Sequence, residues 1–193
     1  MDINAVENKK RFISLLRENV TRPGIEDMIV YLEQTDFFKA PCSTKFHLNV
    51  PGGLCLHSLN VYEAFITICS DFGVDIANNA ESLTIMSLLH DVCKANFYKP
   101  TTVSKKIGAR WEQVPGYEID DRLPLGHGEK SVMIILKFMQ LTDIEMLAIR
   151  WHMGAFDAAF KGGEYAFSTA QNMSKFVTLL HVADLLATRI MEE

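Results

Sequence analysis

Residues able to bind a metal ion recur on the apolar faces of the predicted helices. His57 follows Leu54 by three positions and precedes Val61 by four. Residues at these offsets share one face of an α-helix. Four further ligand-type residues have comparable positions in their own segments: His90, His127, His152 and Asp184.

These side chains would be costly to bury one at a time. A carboxylate in an apolar core needs a partner, and no Lys or Arg of its own segment lies on the same face as Asp184. A shared cation would satisfy the whole group, with Asp91 as a further donor whose two oxygens can bridge two ions. Four imidazoles and two carboxylates suit one or two divalent transition-metal ions, namely Fe, Mn, Co, Ni or Zn.

Each of these residues also has a simpler interpretation on its own. A single histidine on an apolar face is more often a hydrogen-bonded core residue than a metal ligand. His-Asp dipeptides are common and carry little information alone. The recurrence of the pattern in segment after segment of one short chain favours a shared metal centre over separate explanations.

Five segments, in this order, resemble the H…HD…H…H…D signature of the HD superfamily: GGLCLHSLNVYE, LLHDVCK, LGHGEKS, RWHM and HVADLLA. The resemblance extends from about Phe46 to about Ala187. It is nearest to the HD domains of bacterial 3′–5′ exoribonucleases that also carry an OB-fold, which is absent here, so exoribonuclease activity is not implied. The resemblance implies an all-α HD-domain helical bundle and a metal-dependent phosphohydrolase.

The resemblance also implies a ligand set. A first ion would be held by His57, His90, Asp91 and Asp184. His127 and His152 match the two-metal subset of the family, in which the aspartate of the HD pair bridges the ions. Two segments depart from the family pattern: this sequence has HDVCK where the family more commonly has HD-x-G-K, and it has RWHM where the family usually has a double histidine.

Catalytic and substrate-binding candidates lie close to these motifs. Asp91 and Lys94 are the predicted catalytic residues, since metal coordination activates a water for attack on phosphorus and a lysine can contact a phosphate oxygen. Lys94, His47 and Arg150 are the predicted substrate contacts. Lys94 can also be interpreted as a solvated lysine at a helix end, favoured by the helix dipole. His47 and Arg150 can equally be ordinary polar residues.

The favoured function is a phosphomonoesterase or phosphodiesterase acting on a nucleotide or a short nucleic acid. Basic and aromatic residues alternate in segment 97–120, a pattern that suits a phosphate and a stacked base. An HD-type di-iron oxygenase, which the resemblance allows with the same ligands, is the alternative. A non-catalytic metal-binding module is a third class, and the complete ligand set argues against it.

Helical periodicity dominates the segments that position these residues. Apolar residues recur at helical steps in residues 54–72, 80–93, 128–140, 143–153 and 170–191, and residues 4–19 and 25–35 also read as helices. Segment 97–120 predicts a small β-hairpin or flap with a turn at Pro115-Gly116. No linker divides the chain, so one domain over residues 1–193 is expected, with N-terminal helices in residues 1–45 packing on a metal-binding core of residues 46–193.

The composition indicates the cellular compartment of the protein and the partners that it can bind. The net charge of −5 disfavours a large nucleic-acid surface, and the four cysteines form no CxxC pair, as expected of reduced thiols in the cytoplasm. The N-terminus lacks the apolar core of a signal peptide, and no apolar stretch reaches the length of a membrane span. We therefore expect a cytoplasmic protein without membrane contact, and a homo-oligomer remains open.

Overall fold

The computed structural model describes residues 4–163 and 165–192. Over these residues the chain is mostly helical with one two-stranded antiparallel sheet, as the sequence predicts. The strands are β1 (Tyr98–Ile107) and β2 (Arg110–Ile119). The α-helices are α1 (Ala5–Asn19), α2 (Ile25–Gln34), α3 (Gly53–Asp71), α4 (Ile76–Leu89), α5 (His127–Ile135), α6 (Asp143–Arg150), α7 (Ala158–Lys161), α8 (Ala166–Met173) and α9 (Lys175–Leu186). Short 3₁₀-helices cover Val92–Lys94 and Gly154–Phe156, and a π-helix covers Ala187–Met191.

Helix ends are set by local capping residues. Thr142 and Glu145 form a reciprocal capping box at the start of α6, which satisfies backbone N–H groups that have no partner within the helix. Ser174 has an extended backbone with φ of −153° and caps α9 through the N–H of Phe176. The prediction of one helix over residues 170–191 is therefore wrong, because Ser174 separates α8 from α9.

Most of the buried apolar residues form one large core, and a smaller cluster packs around Trp151 and Phe167. Fully buried side chains from α1, α2, α3 and α4 pack together, among them Phe12, Met28, Leu54 and Leu83. Leu180 of α9 belongs to the same core. This packing places α3 between α4 and α9, so residues on one face of α3 meet the ends of both neighbouring helices.

A buried ion pair joins the N-terminal helices to the rest of the core. Glu145 of α6 has a fully buried side chain, and its carboxylate accepts hydrogen bonds from Arg22 at 2.8 and 3.0 Å. Arg22 also contacts Glu81 of α4 at 3.3 Å. Beside it, Gly24 has φ of +94°, and a Cβ atom at this position would collide with the carbonyl of Phe138.

The β-hairpin turns at a different place from the one predicted. Ile107 pairs with Arg110, so the two-residue turn is Gly108-Ala109, with Gly108 at φ of +61°. Pro115 and Gly116 lie within β2, opposite Thr102 and Thr101. The Pro-Gly dipeptide was therefore a misleading turn signal. No described helix is long and apolar enough to cross a bilayer.

Candidate metal centre

Two histidines at the ends of two helices are oriented toward the centre of the site by the same type of hydrogen bond. His90 follows the last residue of α4 and donates its Nδ1–H to the carbonyl oxygen of Ser87 at 2.7 Å. His152 follows α6 and donates its Nδ1–H to the carbonyl of Ile149, also at 2.7 Å. Each imidazole thus satisfies a free carbonyl at a helix end. In this tautomer the Nε2 lone pair of each ring is free to bind a cation.

Asp91 lies between these two imidazoles. Its Oδ2 atom is 3.5 Å from Nε2 of His90, and its Oδ1 atom is 3.5 Å from Nε2 of His152. The residue is outside α4, with φ of −109°, because the helix ends at Leu89. The helix predicted for residues 80–93 is therefore too long. Its early end lets adjacent residues, which would diverge by about 100° on a helix, face one centre.

His57 of α3 and Asp184 of α9 complete the opposite side. Nε2 of His57 is 3.2 Å from Oδ1 of Asp184 and 3.8 Å from Oδ2 of Asp91. On its other edge, Nδ1 of His57 is 3.0 Å from Oε1 of Glu192, whose side chain is fully buried. Asn60 donates to the same Oε1 atom at 3.0 Å. The Glu192 carboxylate thus fixes the proton of His57 on Nδ1 and leaves Nε2 facing the two aspartates.

The ligand-type atoms form overlapping groups in which all atoms lie within 4.8 Å of one another. One group contains His57, His90 and Asp184, and a second contains His90, Asp91 and His152. Asp91 also belongs to a third group, which is completed by Cys93 and His127. Each of the six residues of the predicted ligand set thus belongs to at least one group. His90 is shared by the first two groups and Asp91 by the last two, whereas His127 belongs only to the third.

Buried ligand atoms that lack a hydrogen-bond partner indicate whether a cation would fit this site. Among the residues that the structure describes, Nε2 of His90, Oδ1 of Asp91 and Nε2 of His152 are buried without a hydrogen-bond partner. Leaving such atoms unpartnered is unfavourable, and native proteins rarely do so. A divalent transition-metal ion would accept all three lone pairs, and nitrogen with carboxylate oxygen is a donor set that such ions prefer.

The sequence comparison agrees with this geometry. The family model of the HD domain matches residues 56–189, which is well over half of the chain. This chain belongs to the HD domain family. The HD superfamily consists generally of metal-dependent phosphohydrolases. The match supports the superfamily without singling out the exoribonucleases, and no curated protein or solved structure matched the chain.

The charges of this HD site are those of a cation-binding centre. Burial opposes ionisation of Asp91, but Lys94 and the neighbouring imidazoles outweigh it and hold the pKa of Asp91 well below its usual range. Burial also opposes ionisation of Asp184, yet the hydrogen bond with His57 lowers its pKa overall. Burial lowers the pKa of His90. Ionised carboxylates and the neutral imidazole of His90 are the protonation states that metal binding requires. Burial opposes protonation of His57 and His152, but the neighbouring thiol and carboxylates raise the pKa of both, so a metal ion bound at their Nε2 atoms would displace a proton from each.

Lys94 and His47 reach the HD centre from the pocket side. Nζ of Lys94 is 2.7 Å from Oδ2 of Asp91, and this carboxylate raises the pKa of Lys94 well above its usual value although burial acts in the opposite direction. His47 lies 3.2 Å from Sγ of Cys42 and 3.8 Å from Glu192. Both Lys94 and His47 line a pocket of about 670 Å³ together with His57, Asp91 and Asp184.

Arg150 is placed differently from the other candidates. Its guanidinium pairs with Asp157 at 3.0 Å and with Glu129 at 2.6 Å, and it stacks 3.9 Å from the ring centroid of Trp151. It is not among the residues that line the pocket over the HD centre. These contacts give Arg150 a role in holding α6 against the following loop.

Sequence reasoning missed several residues of this site. Glu192 follows the last motif and precedes another glutamate, so it resembled a solvated chain end. The remaining omissions line the pocket and lie outside the motifs: Phe46, Phe156, Lys161, Thr188 and Arg189. The Gly-rich and aromatic composition of residues 154–168 was the available signal for two of them, Phe156 and Lys161.

Proposed function

We propose that this HD protein is a phosphohydrolase, a phosphomonoesterase or phosphodiesterase, that acts on a nucleotide. The observation that carries the proposal is the set of unpartnered buried atoms of His90, Asp91 and His152, grouped around Asp91, which lines a pocket together with Lys94. One or two divalent ions would be held by His57, His90, Asp91, His127, His152 and Asp184. Bound there, they would supply Lewis acidity and lower the pKa of a coordinated water.

The protein side chains would position the phosphate group. The ammonium of Lys94 is held against Asp91 at 2.7 Å and lines the pocket, so it can donate to a phosphate oxygen without a large rearrangement. His47 lines the same pocket, and its buried Nδ1 atom has no partner among the described residues. That atom is available to exchange a hydrogen bond with an oxygen of the leaving group.

The walls of the pocket favour a nucleotide over a smaller phosphate ester. Phe46 and Phe156 line the pocket although 81% and 51% of their respective surfaces are exposed. Exposed phenyl rings beside a cationic floor provide flat surfaces on which a base can stack. A short nucleic acid would present the same base and phosphate to these residues.

The test is hydrolysis of bis-p-nitrophenyl phosphate and p-nitrophenyl phosphate with added Mn²⁺. We expect activity that is abolished in Asp91→Asn and retained in the control Asp27→Asn, an exposed aspartate of α2. No hydrolysis of either ester by metal-loaded protein would refute the proposal. Bound iron with an oxygen-dependent spectral change would instead support the di-iron oxygenase, which uses the same side chains.

Metal content provides an independent test of the ligand set. We expect His57→Ala and Asp184→Ala to lower both the metal content and the Tm of the purified protein, since an ion bound only by the folded state stabilises it. Elemental analysis and thermal unfolding measure the two quantities. Full metal content in both variants would contradict the assignment.

A further inference from the structure

Two cations at the mouth of the pocket have no task in the chemistry described so far. Lys161 ends the short helix α7, and Arg189 lies in the π-helix Ala187–Met191. Both side chains line the same pocket of about 670 Å³ as Lys94. Two distant segments of the chain therefore bring positive charge to one opening.

The acidic groups of the pocket do not neutralise these cations. Asp91 and Asp184 line the pocket, but both contact imidazoles of the metal centre, and Asp91 also pairs with Lys94. Within residues 4–163 and 165–192, neither Lys161 nor Arg189 has a carboxylate partner within 4.0 Å. By contrast, Arg150 pairs with both Glu129 and Asp157.

The floor and the mouth of the pocket differ in exposure. Among the residues that line it, His57 and Asp91 at the floor are buried, whereas Lys161 and Arg189 at the mouth are exposed. One phosphate group bound at the floor would be neutralised by the metal centre and by Lys94. The mouth would then retain two positive charges, one of them a guanidinium, which binds phosphate through paired hydrogen bonds.

We propose that the substrate is a nucleotide with two phosphate groups. The reacting phosphate lies at the metal centre, and the second, non-reacting phosphate is bound by Lys161 and Arg189. Phe46 and Phe156 line the pocket with them and contact the nucleoside portion. This inference rests on the proposed phosphohydrolase function and adds a substrate class to it.

The test compares two adenosine ligands in which a methylene group replaces one bridging oxygen next to phosphorus. The first is α,β-methylene-ADP, with two phosphorus groups, and the second is the 5′-phosphonate analogue of AMP, with one. Isothermal titration of the metal-loaded full chain should show at least tenfold tighter binding of the first, since hydrogen bonds to a charged group commonly contribute about that factor. In the double variant Lys161→Ala/Arg189→Ala, this preference should fall to about unity, with metal content and binding of the monophosphonate unchanged.

The matched control is Lys10→Ala/Arg17→Ala, which removes two exposed cations from α1, outside the pocket, and should leave the preference intact. An equal affinity of the wild-type protein for both ligands would overturn the inference. A preference that survives in the Lys161→Ala/Arg189→Ala variant would overturn it as well. If the wild-type protein hydrolyses the nitrophenyl esters but lacks the preference, only the two-phosphate inference fails. If it hydrolyses neither ester, the proposed function fails with it.

Discussion

Glu192 is the residue whose replacement tests the geometry of the centre most directly. Its buried carboxylate accepts a hydrogen bond from Nδ1 of His57 at 3.0 Å, and the other edge of that ring faces Asp184 at 3.2 Å. A carboxylate in this position orients the imidazole and makes its free nitrogen a stronger donor to a metal. Loss of such a partner typically weakens metal binding by about 10- to 100-fold.

We expect the losses of metal affinity in Glu192→Gln and Glu192→Ala to lie at the two ends of this range. Glutamine keeps an oxygen that can accept from both His57 and Asn60 but loses the charge, so its metal affinity should fall about tenfold. Alanine leaves Nδ1–H of His57 and the amide of Asn60 without this acceptor, so its affinity should fall about 100-fold.

The assay for the Glu192 variants is a competition for Mn²⁺ or Zn²⁺ against a chelator of known affinity. Circular dichroism of the metal-free proteins shows whether they are folded. Glu63→Gln is the matched control, because Glu63 lies on the same helix as His57 but forms a surface pair with Arg11 at 2.6 Å. Folded variants of Glu192 that bind metal as tightly as the Glu63→Gln control would refute the reasoning.

Two further predictions concern the scaffold. Burial opposes ionisation of Glu145, but its hydrogen bonds with Arg22, Ser82 and the backbone of Thr142 hold its pKa below the usual value of a glutamate. A depressed carboxylate pKa stabilises the fold above the unfolded-state pKa, and this stability is lost as the pH falls through the folded-state value. Urea unfolding of the metal-free protein should therefore show that Glu145→Gln costs about 2 kcal/mol at pH 7 and flattens the acid-induced loss of stability below about pH 4.5. The control Glu112→Gln, at an exposed position of β2, should change neither quantity, and an unaltered acid profile of Glu145→Gln would contradict the prediction. Gly24→Ala should lower the free energy of unfolding by about 2 kcal/mol or more, because it adds a steric collision to the backbone strain of a positive φ. Gly108→Ala has open space around its Cβ atom and should lower it by only about 1 kcal/mol. Equal losses in the two glycine variants would count against the collision.

The sequence predicts most helices and the inward placement of His57 and Asp184 because both follow from local spacing. His57 and Asp184 lie on apolar helical faces, and burial of those faces directs both side chains inward. No periodic signal in the sequence marks the early end of α4 at Leu89. The convergence of His90 and Asp91 on one centre could therefore not be predicted from periodicity. Glu192 was hidden for a different reason, since its role depends on a tertiary contact 135 residues away in the chain.

The two helix ends at the centre add an electrostatic argument for a cation that does not depend on counting ligands. The last turns of α4 and α6 both lead into the site, through His90 and His152. The C-terminal end of a helix carries a partial negative charge, so each of these ends favours a positive ion nearby. Each histidine also satisfies a carbonyl oxygen at its own helix end, which would otherwise need water in a buried site. The same hydrogen bond that completes the helix therefore selects the tautomer that can bind metal, and folding prepares the centre before an ion arrives.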